Sequence, residues 1–408
     1  MVRAWLVARA AVFAVWLLLA PSTQGDVVYY FRKIHAMSVV GPEQTLIEYP
    51  TPVVWLLSIP YWLGLRTQVG YVIAFVVIML ALDALFARLL WRTGGRQSGR
   101  AVLFWIVFLA LIGPTAYLRF DLIPSVLGGA ALVELVRRRQ GLAGMLIGLG
   151  AAVKLWPALM WPALLGGPRK AQVRATVGVF GFGGLLALAS LVWAGWDRLL
   201  SPLDWQSGRH LQVESIWASV PMLVRLFRPL DYWVGISHYQ AFEIWGPGVS
   251  FMLTLASLSA IVGYLIAIVA YVMWLRRPRR RLVEAAVLML MVVLVMIVTN
   301  KAFSPQYMIW LGGPLAAGFA ILGVPDDRTS APELARDERR LVRCATALMA
   351  LTLMTQVVYP IGYAPLVKGS LGVTVVTLVL VVRNIGVVAL LVWVLRWIWG
   401  FLRRPVEQ

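Results

Sequence analysis

Long apolar runs separated by short basic connections dominate this 408-residue sequence. Hydrophobic residues make up 61% of the chain and charged residues 13%, whereas soluble domains are about 45–50% apolar and about 25% charged. A water-soluble fold could not hide this much apolar surface. The sequence therefore predicts an all-α polytopic membrane protein.

The apolar runs predict about twelve crossings, each needing about 20 residues unless it is broken. Two short segments, 141–152 and 155–167, are interpreted as a broken pair, and 53–64 as a juxtamembrane or re-entrant helix. We expect the whole chain, 1–408, to form a single integral membrane domain with polar loops at 21–68 and 196–248 and no soluble domain. The expected spans are roughly 4–20, 69–91, 101–117, 122–136, the broken pair, 176–195, 249–275, 282–299, 306–323, 342–358 and 372–397.

The net charge of +19 reflects topology rather than nucleic-acid binding, because the cations cluster in short loops. One set of loops (92–100, 137–139, 169–174, 276–281, 328–343 and 403–404) carries 21 Lys and Arg residues, against 11 in the opposite set. Both termini are therefore expected in the cytoplasm, with Asp26, Glu48, Asp121, Glu214 and Lys301 outside. If the broken pair formed one span, every later loop would be reversed. The single cysteine, Cys344, excludes an internal disulfide.

The first polar loop carries a mixed polar face. If the start of the stretch from Gly25 to Pro52 is helical, Asp26, Tyr29, Tyr30 and Lys33 follow the i, i+3, i+4, i+7 spacing and lie on one face. A lone Asp after an apolar helix is often an N-cap, and that interpretation stays open for Asp26.

Two further polar positions interrupt apolar segments. Arg119-Phe120-Asp121 is expected at the tip of a helical hairpin, where a local ion pair is the simplest explanation. Lys154 separates the two halves of the broken pair, and an ionisable residue at such a break is a functional candidate. Snorkelling of Lys154 to the interface is the alternative.

The later outer loops are rich in groups that could bind a phosphate. Arg209, His210 and Gln212 could donate hydrogen bonds to it, with Glu214 orienting one of them. Lys301 also suits a phosphate held at the membrane surface, although the 300–307 stretch could be a plain turn. His35 and His238 are expected to be surface residues.

Several common motifs are missing from the sequence. It contains no P-loop, no G-x-G-x-x-G after a strand, no H-E-x-x-H, no EF-hand loop and no Asp-x-Asp. We therefore expect no metal site, and metal dependence stays open. An enzyme working outside the cytoplasm would have to take an activated sugar from a lipid carrier.

Five stretches in order resemble glycosyltransferase family 87. They are Gly25-Asp26 with Tyr29 and Tyr30, Glu48-Tyr49-Pro50-Thr51-Pro52, Arg119-Phe120-Asp121-Leu122-Ile123-Pro124, the 148–157 stretch around Lys154, and Ser304-Pro305-Gln306-Tyr307. The resemblance runs from about residue 20 to 325. It implies a GT-C-type membrane transferase that uses polyprenyl-phosphate sugars, with juxtamembrane helices in the first outer loop.

The resemblance also implies residue roles. Asp26 takes the position of the general base, and Lys154 and Ser304 to Tyr307 match the family's Lys-Pro and Ser-Pro-Gln-Tyr stretches. The family's Tyr-Pro-Pro reads Tyr49-Pro50-Thr51-Pro52 here, which is a departure. We expect Arg209, His210, Lys301 and Gln306 to bind the donor phosphate, the first two on grounds of charge and placement alone. The residues expected to shape the site are Tyr29, Tyr30, Glu48, Tyr49, Arg119, Asp121, Lys154, Glu214, Ser304 and Tyr307.

The function implied is inverting transfer of a sugar, with mannose preferred, on the outer face of the cytoplasmic membrane of an actinobacterium. The donor would be a polyprenyl-phosphate sugar, with no further cofactor, and the acceptor a glycolipid or a cell-wall polysaccharide. Arabinofuranosyl transfer from decaprenyl-phosphate-arabinose is the nearest alternative. A lipid or sugar transporter or flippase would explain the broken helices, but it predicts an inverted repeat that is not apparent. A non-catalytic scaffold for wall-building enzymes is the third hypothesis.

Overall fold

The computed structural model describes residues 1–326 and 329–403, so Arg328 and Arg404 of the charge analysis lie outside the described residues. The described chain is almost entirely helical. In order, its helices are α1 (Val2–Leu19), α2 (Gly25–Val40), α3 (Thr51–Leu63), α4 (Gln68–Thr93), α5 (Ser98–Ile112), α6 (Leu122–Val136), α7 (Gln140–Val153), α8 (Arg169–Gly208), α9 (Ser219–Arg225), α10 (Val249–Arg276), α11 (Leu282–Thr299), α12 (Ile309–Leu322), α13 (Ala331–Gln356), α14 (Tyr363–Lys368) and α15 (Val373–Leu402).

Eight helical segments in the described part of the chain are long and apolar enough to cross a membrane: α1, α4, α5 with its flanking 3-10 turns (Gly95–Ala116), α8, α10, α11, α13 and α15. Three shorter apolar helices, α3, α6 and α7, accompany them. This architecture confirms the prediction of an all-α polytopic membrane protein. The number of twelve crossings stays a prediction.

The centre of the bundle is built from α6, α11 and α12, whose residues are almost all buried. Helices α6 and α12 approach closely because small residues face each other there. A Cβ at Gly313 would overlap the backbone carbonyl of Ser125. The Ser125 hydroxyl donates to the Ile309 carbonyl at 2.6 Å and accepts from the Gly313 N–H at 3.0 Å.

The broken pair consists of α7 and a 3-10 segment, Trp156–Gly166. Helix α7 runs parallel to the start of α8, since Gly144 approaches Ala175 and Gly148 approaches Val179. The chain turns after Lys154, and the 3-10 segment ends with Gly166 against the Trp274 ring. The two segments therefore do not form one continuous span.

The polar connections separate into two groups at opposite ends of the bundle. At the arginine-rich end, Arg137 donates to Thr93 at 3.1 Å, Arg281 pairs with Asp337 at 2.7 Å, and Gly323 contacts the backbone of Gly94. The other end, called the site end, holds the connections 20–67, 113–121, 209–248 and 300–308.

The long polar loop contains a β-hairpin that the sequence analysis did not predict. Strand β1 (Trp233–Ile236) pairs antiparallel with β2 (Phe242–Trp245), and the rings of Trp233 and Trp245 lie 4.3 Å apart. The hairpin packs against the 211–218 loop through Ile244, whose N–H donates to the Leu211 carbonyl at 2.9 Å. It holds that loop at the site end.

A buried carboxylate joins α1 to the rest of the bundle. Asp83 in α4 accepts from Arg9 at 2.7 and 3.0 Å and from Trp5 at 2.9 Å, all α1 residues. It also accepts from Trp105 and Tyr117, each at 2.8 Å. A buried charge with this many donors is fully compensated, so the network fixes α1 in place.

Candidate functional site

Asp26 lies in the first turn of α2, and its partner comes from a distant part of the chain. The N-cap position is occupied by Gln24, which makes no side-chain cap. Asp26 instead forms an ion pair with Arg119, whose side chain is 13% exposed while that of Asp26 is 31% exposed. The N-cap interpretation of Asp26 is therefore wrong, and its carboxylate faces a partly open region.

Asp26, Tyr29, Tyr30 and Lys33 lie on one helix, α2, but the two tyrosine side chains contact different residues. Tyr29 donates to the Glu48 carboxylate at 2.8 Å, and the Lys33 ammonium lies 5.5 Å from the Tyr29 ring. Tyr30 is buried against Tyr49. Burial, reinforced by the Glu48 charge, raises the pKa of Tyr29, and burial raises that of Tyr30, so both stay protonated.

The loop that carries Glu48 and Tyr49 is held from behind by one arginine. Arg198, near the end of α8, is buried and donates to the carbonyls of Tyr49 (2.9 Å), Leu46 (3.0 Å) and Thr45 (3.1 Å). The three carbonyls share one guanidinium, so this loop moves little relative to the end of α8. The sequence analysis did not select Arg198.

The Arg119-Phe120-Asp121 connection does not contain a local ion pair, contrary to the simplest expectation. Its two charges point to different partners, Arg119 to Asp26 and Asp121 to Lys154 at 2.5 Å. Asp121 also accepts from the Trp310 indole at 2.7 Å. The connection thus links α2, the broken pair and α12.

Lys154 is surrounded by aromatic rings and does not snorkel. Its ammonium lies 4.8 Å from the Trp310 ring, 5.1 Å from Phe120 and 5.4 Å from Tyr307. The side chain is only 18% exposed, and the rings of Tyr307 and Trp310 stack at 4.0 Å. Cation–π contacts and one carboxylate therefore balance the charge of Lys154.

Glu214 does not orient Arg209, His210 or Gln212 as predicted. Both of its carboxylate oxygens are buried and have no hydrogen-bond partner among the described residues. Burial raises the pKa of Glu214 to about 7, and the charges of Arg383 and Arg119 act against that rise. Glu214 is therefore a buried carboxyl that titrates near neutral pH.

Arg383 is the main residue that sequence analysis missed. It lies fully buried in α15, donates to the Glu214 carbonyl at 2.9 Å and covers the Phe303 ring at 4.1 Å. Asn384 beside it donates to the Ser215 carbonyl at 3.0 Å. An arginine inside an apolar span was the signal that could have identified it, because such residues face the protein interior.

The predicted phosphate-binding cations lie near one another. Lys301 donates to the Ser207 carbonyl at 2.7 Å, and burial lowers its pKa, with the Glu243 charge acting against that change and the Arg209 charge adding to it. The same Arg209 charge acts on Tyr49, so these cations border the loop that carries Glu48. His210 stacks on Trp245 at 5.3 Å, and its backbone N–H donates to Glu243 at 3.2 Å. Glu243 thus contacts this cluster in place of Glu214.

The Ser304–Tyr307 stretch is tied to the same loop. The Gln212 amide accepts from the Phe303 N–H at 2.6 Å and donates to the Ser304 hydroxyl at 3.2 Å. The side-chain amide of Gln212 therefore joins the 209–248 loop to the 300–308 connection, rather than donating a hydrogen bond to a phosphate as the sequence analysis suggested. Gln306 keeps a buried carbonyl oxygen that has no hydrogen-bond partner in the described chain.

The remaining predictions concern histidines, the cysteine and metals. His35 is exposed but contacts the Tyr61 hydroxyl at 3.0 Å, and His238 packs on Trp205 at 5.3 Å, so both have partners that we did not expect. Cys344 packs inside α13 as expected. No cluster of three or more His, Cys, Asp or Glu side chains that could hold a metal ion occurs among the described residues.

A helical membrane bundle that gathers buried and half-buried carboxylates and cations from several loops at its site end has the architecture of an integral membrane protein that handles a polar group at the bilayer surface. The sequence model of glycosyltransferase family 87 matches residues 46–300, more than half of the chain. The chain belongs to this family and is a membrane glycosyltransferase.

The family match is shorter than the resemblance seen in the motifs. It includes Glu48, Arg119, Lys154 and Glu214, whereas Asp26 and the Ser304–Tyr307 stretch lie outside it. Searches of the curated proteins and of the solved structures returned no match.

Proposed function

We propose that the protein transfers mannose from a polyprenyl-phosphate donor to a hydroxyl of a glycolipid or cell-wall polysaccharide, with inversion. The observation that carries this proposal is the position of Asp26. This half-exposed carboxylate stands in the first turn of α2 beside Arg119 and on the same side of the bundle as the Arg209–Lys301 cations. Single displacement of a phosphate leaving group by a hydroxyl requires a base that accepts the hydroxyl proton and cations that stabilise the phosphate charge. This surface of the bundle carries both.

Asp26 accepts the proton of the attacking hydroxyl in this mechanism. A positioned base typically contributes about 10²–10⁴-fold. Arg119 pairs with the Oδ2 oxygen of Asp26, so the proposed acceptor of the hydroxyl proton is Oδ1. Glu214 offers Arg119 a second partner, because its carboxylate has no hydrogen-bond partner among the described residues and lies within reach of the Arg119 charge.

The departing phosphate gains negative charge as the sugar leaves. Arg209, Lys301 and His210 supply the compensating donors, with Gln306 beside them. Burial lowers the pKa of Lys301 and Arg209 lowers it further, and the opposing charge of Glu243 does not offset them. A bound phosphate would supply a further anion.

The lipid portion of the substrate needs an apolar surface that leads to the site. Helices α3 and α8 form an apolar groove lined by Trp55, Leu185, Leu188, Ala189, Val192 and Trp193. The groove lies on the same two helices that flank the Glu48 loop, and Arg198 follows Trp193 in α8 beyond a break at Gly195, whose φ of +80° is not helical. A polyprenyl chain in this groove would bring its phosphate toward that loop.

The proposed orientation follows from the two ends of the bundle. Met1 contacts Gly99, and Arg277 lies 5.8 Å from the Phe401 ring, so both chain ends lie at the arginine-rich end. Cytoplasmic loops carry an excess of Lys and Arg. We therefore assign the arginine-rich end and both termini to the cytoplasm, and the site end to the outer face of the cytoplasmic membrane.

The direct test is a transfer assay with purified protein. Radiolabelled polyprenyl-phosphate mannose, glucose and arabinofuranose are each incubated with the protein and a membrane lipid extract, with Asp26→Asn as the inactive control. We expect a labelled, Asp26-dependent product from the mannosyl donor. Product from the arabinofuranosyl donor alone would replace the sugar assignment, and no product from any donor would overturn the proposed reaction.

A further inference from the structure

The arginine-rich end contains a cavity of about 1120 Å³, remote from the candidate site. It is bounded by the connections before α5, α8 and α11 and by the ends of α6 and α12. Ligand pockets are typically about 300–1,000 Å³, so this space is large enough for a lipid headgroup and the start of its chains. None of the residues proposed for glycosyl transfer lines it.

The cavity combines an apolar interior with a cationic rim. Its interior surface includes Leu135, Ala163, Trp274, Val283 and Ile321. Four arginines contribute to the lining, namely Arg96, Arg138, Arg280 and Arg281, against one acidic residue, Asp326. Such a surface is complementary to a molecule with an anionic head and an apolar body.

The four arginines are not equally committed to partners inside the protein. Arg281 is paired with Glu284 at 3.3 Å and with Asp337 at 2.7 Å. Arg280 donates to the Leu275 carbonyl at 2.7 Å, but its Nε is buried and has no partner in the described chain. Arg96 and Arg138 are exposed. Arg281 thus fixes the wall, while the other three can contribute donors to a ligand.

The backbone at Arg138 supports a specific arrangement. Its φ of +59° lies in the left-handed region, which non-glycine residues adopt uncommonly. The turn leaves Arg138 on the rim of the cavity, while its neighbours Arg137 and Arg139 pair with Glu134 instead.

The mouth of the cavity is partly apolar. Leu282 and Leu334 both line it and are both 37% exposed. A small polar anion bound at the rim would leave these two side chains in water, whereas an acyl chain would cover them.

We propose that this cavity binds an anionic phospholipid from the membrane leaflet at the arginine-rich end. Its phosphate lies among the guanidinium groups of Arg96, Arg138 and Arg280, and its chains cover Leu282 and Leu334. The simpler alternative is that these arginines only orient the chain in the membrane, as basic loops generally do. That alternative predicts no preference for cavity arginines over other arginines at the same end.

A matched pair of variants separates the two. The cavity variant carries Arg96→Gln, Arg138→Gln and Arg280→Gln. The control carries Arg92→Gln, Arg174→Gln and Arg276→Gln, which are exposed at the same end and do not line the cavity. Both lose three charges, so the general electrostatic attraction to an anionic surface falls equally.

Binding is measured on the full-length protein in detergent by native mass spectrometry and thermal shift, with phosphatidylglycerol, phosphatidylcholine and soluble glycerol phosphate. We expect wild type and the control to retain phosphatidylglycerol over phosphatidylcholine, and the cavity variant to bind it about tenfold or more weakly. The single variant Arg280→Gln should show a smaller loss in the same direction, which keeps the test open if the triple variant folds poorly.

Three results would overturn the lipid site. They are equal losses in the two triple variants, no preference of wild type for the anionic lipid, and stabilisation by glycerol phosphate as large as that by the lipid. The last would assign the cavity to a soluble anion. The assay uses no sugar donor, so its outcome is independent of whether the proposed transfer reaction is correct.

Discussion

The guanidinium group of Arg119 pairs with the carboxylate of Asp26, and this contact joins the connection between α5 and α6 to the first turn of α2. The proposed base is therefore held by a residue whose neighbour, Phe120, packs on Tyr49 at 4.9 Å. Arg119 also influences the buried Glu214.

Replacing Asp26 with Asn should reduce turnover by about 10²–10⁴-fold, because the amide cannot accept the hydroxyl proton. Arg119 also loses its anion, but both groups are partly exposed, so the protein should still fold. Turnover and donor binding are measured separately on purified protein. Near-normal turnover of Asp26→Asn, with donor binding unchanged, would remove Asp26 from the mechanism.

Replacing Lys154 with Met should lower stability by about 3–5 kcal/mol, since the buried Asp121 carboxylate loses its cation and the neutral Trp310 indole cannot balance the charge. The double variant Lys154→Met with Asp121→Asn should recover part of that loss, because no unpaired charge is left. Thermal unfolding of the single and double variants in detergent measures the coupling. Additive losses would show that the pair does not interact.

Glu214 should make stability depend on pH. The folded protein keeps the Glu214 proton up to about pH 7, whereas the unfolded chain releases it near the ordinary value of 4.5. Stability is thus greatest below pH 4.5 and falls as the pH rises through 7, by about 3 kcal/mol from this group.

Glu214→Gln should remove this contribution, so its melting temperature should fall less than that of wild type between pH 5 and pH 8. Parallel slopes for wild type and Glu214→Gln would contradict the raised pKa of Glu214.

Replacing Arg198 with Lys should loosen the Glu48–Tyr49 loop, because one ammonium cannot reproduce the planar fork that serves three carbonyls. We expect a stability loss of about 1–3 kcal/mol and faster limited proteolysis within 41–50. Arg174→Lys, an exposed site on the same helix, should have neither effect. Unchanged cleavage in Arg198→Lys would show that the loop is held by other contacts.

The sequence predicted the features of this protein that depend on composition and local spacing. Helical periodicity placed Asp26 and Tyr29 on one helix, and the break at Lys154 was visible as a cation between apolar runs. The partners of these residues were not predictable, because Asp26–Arg119 and Asp121–Lys154 are contacts between segments far apart in the chain.

Other features were missed for identifiable reasons. The β1–β2 hairpin lies in a loop whose polar character concealed two short aromatic strands. Arg383 was not selected from the sequence because the span around it is apolar overall. A single arginine in such a span is nevertheless informative. The unpartnered carboxylate of Glu214 could not be foreseen, since only the packed structure shows which donors are absent around it.

The Asp83 network has a consequence for the candidate site. Tyr117, one of its donors, lies two residues before Arg119, so α1 is connected through Asp83 to the segment that carries Arg119. Displacement of α1 from the bundle would remove Arg9 and Trp5 from the Asp83 carboxylate. It would thereby weaken the network that holds Tyr117, two residues before Arg119. Helix α1 therefore helps to hold the position of Arg119, although none of its residues is among those proposed for glycosyl transfer.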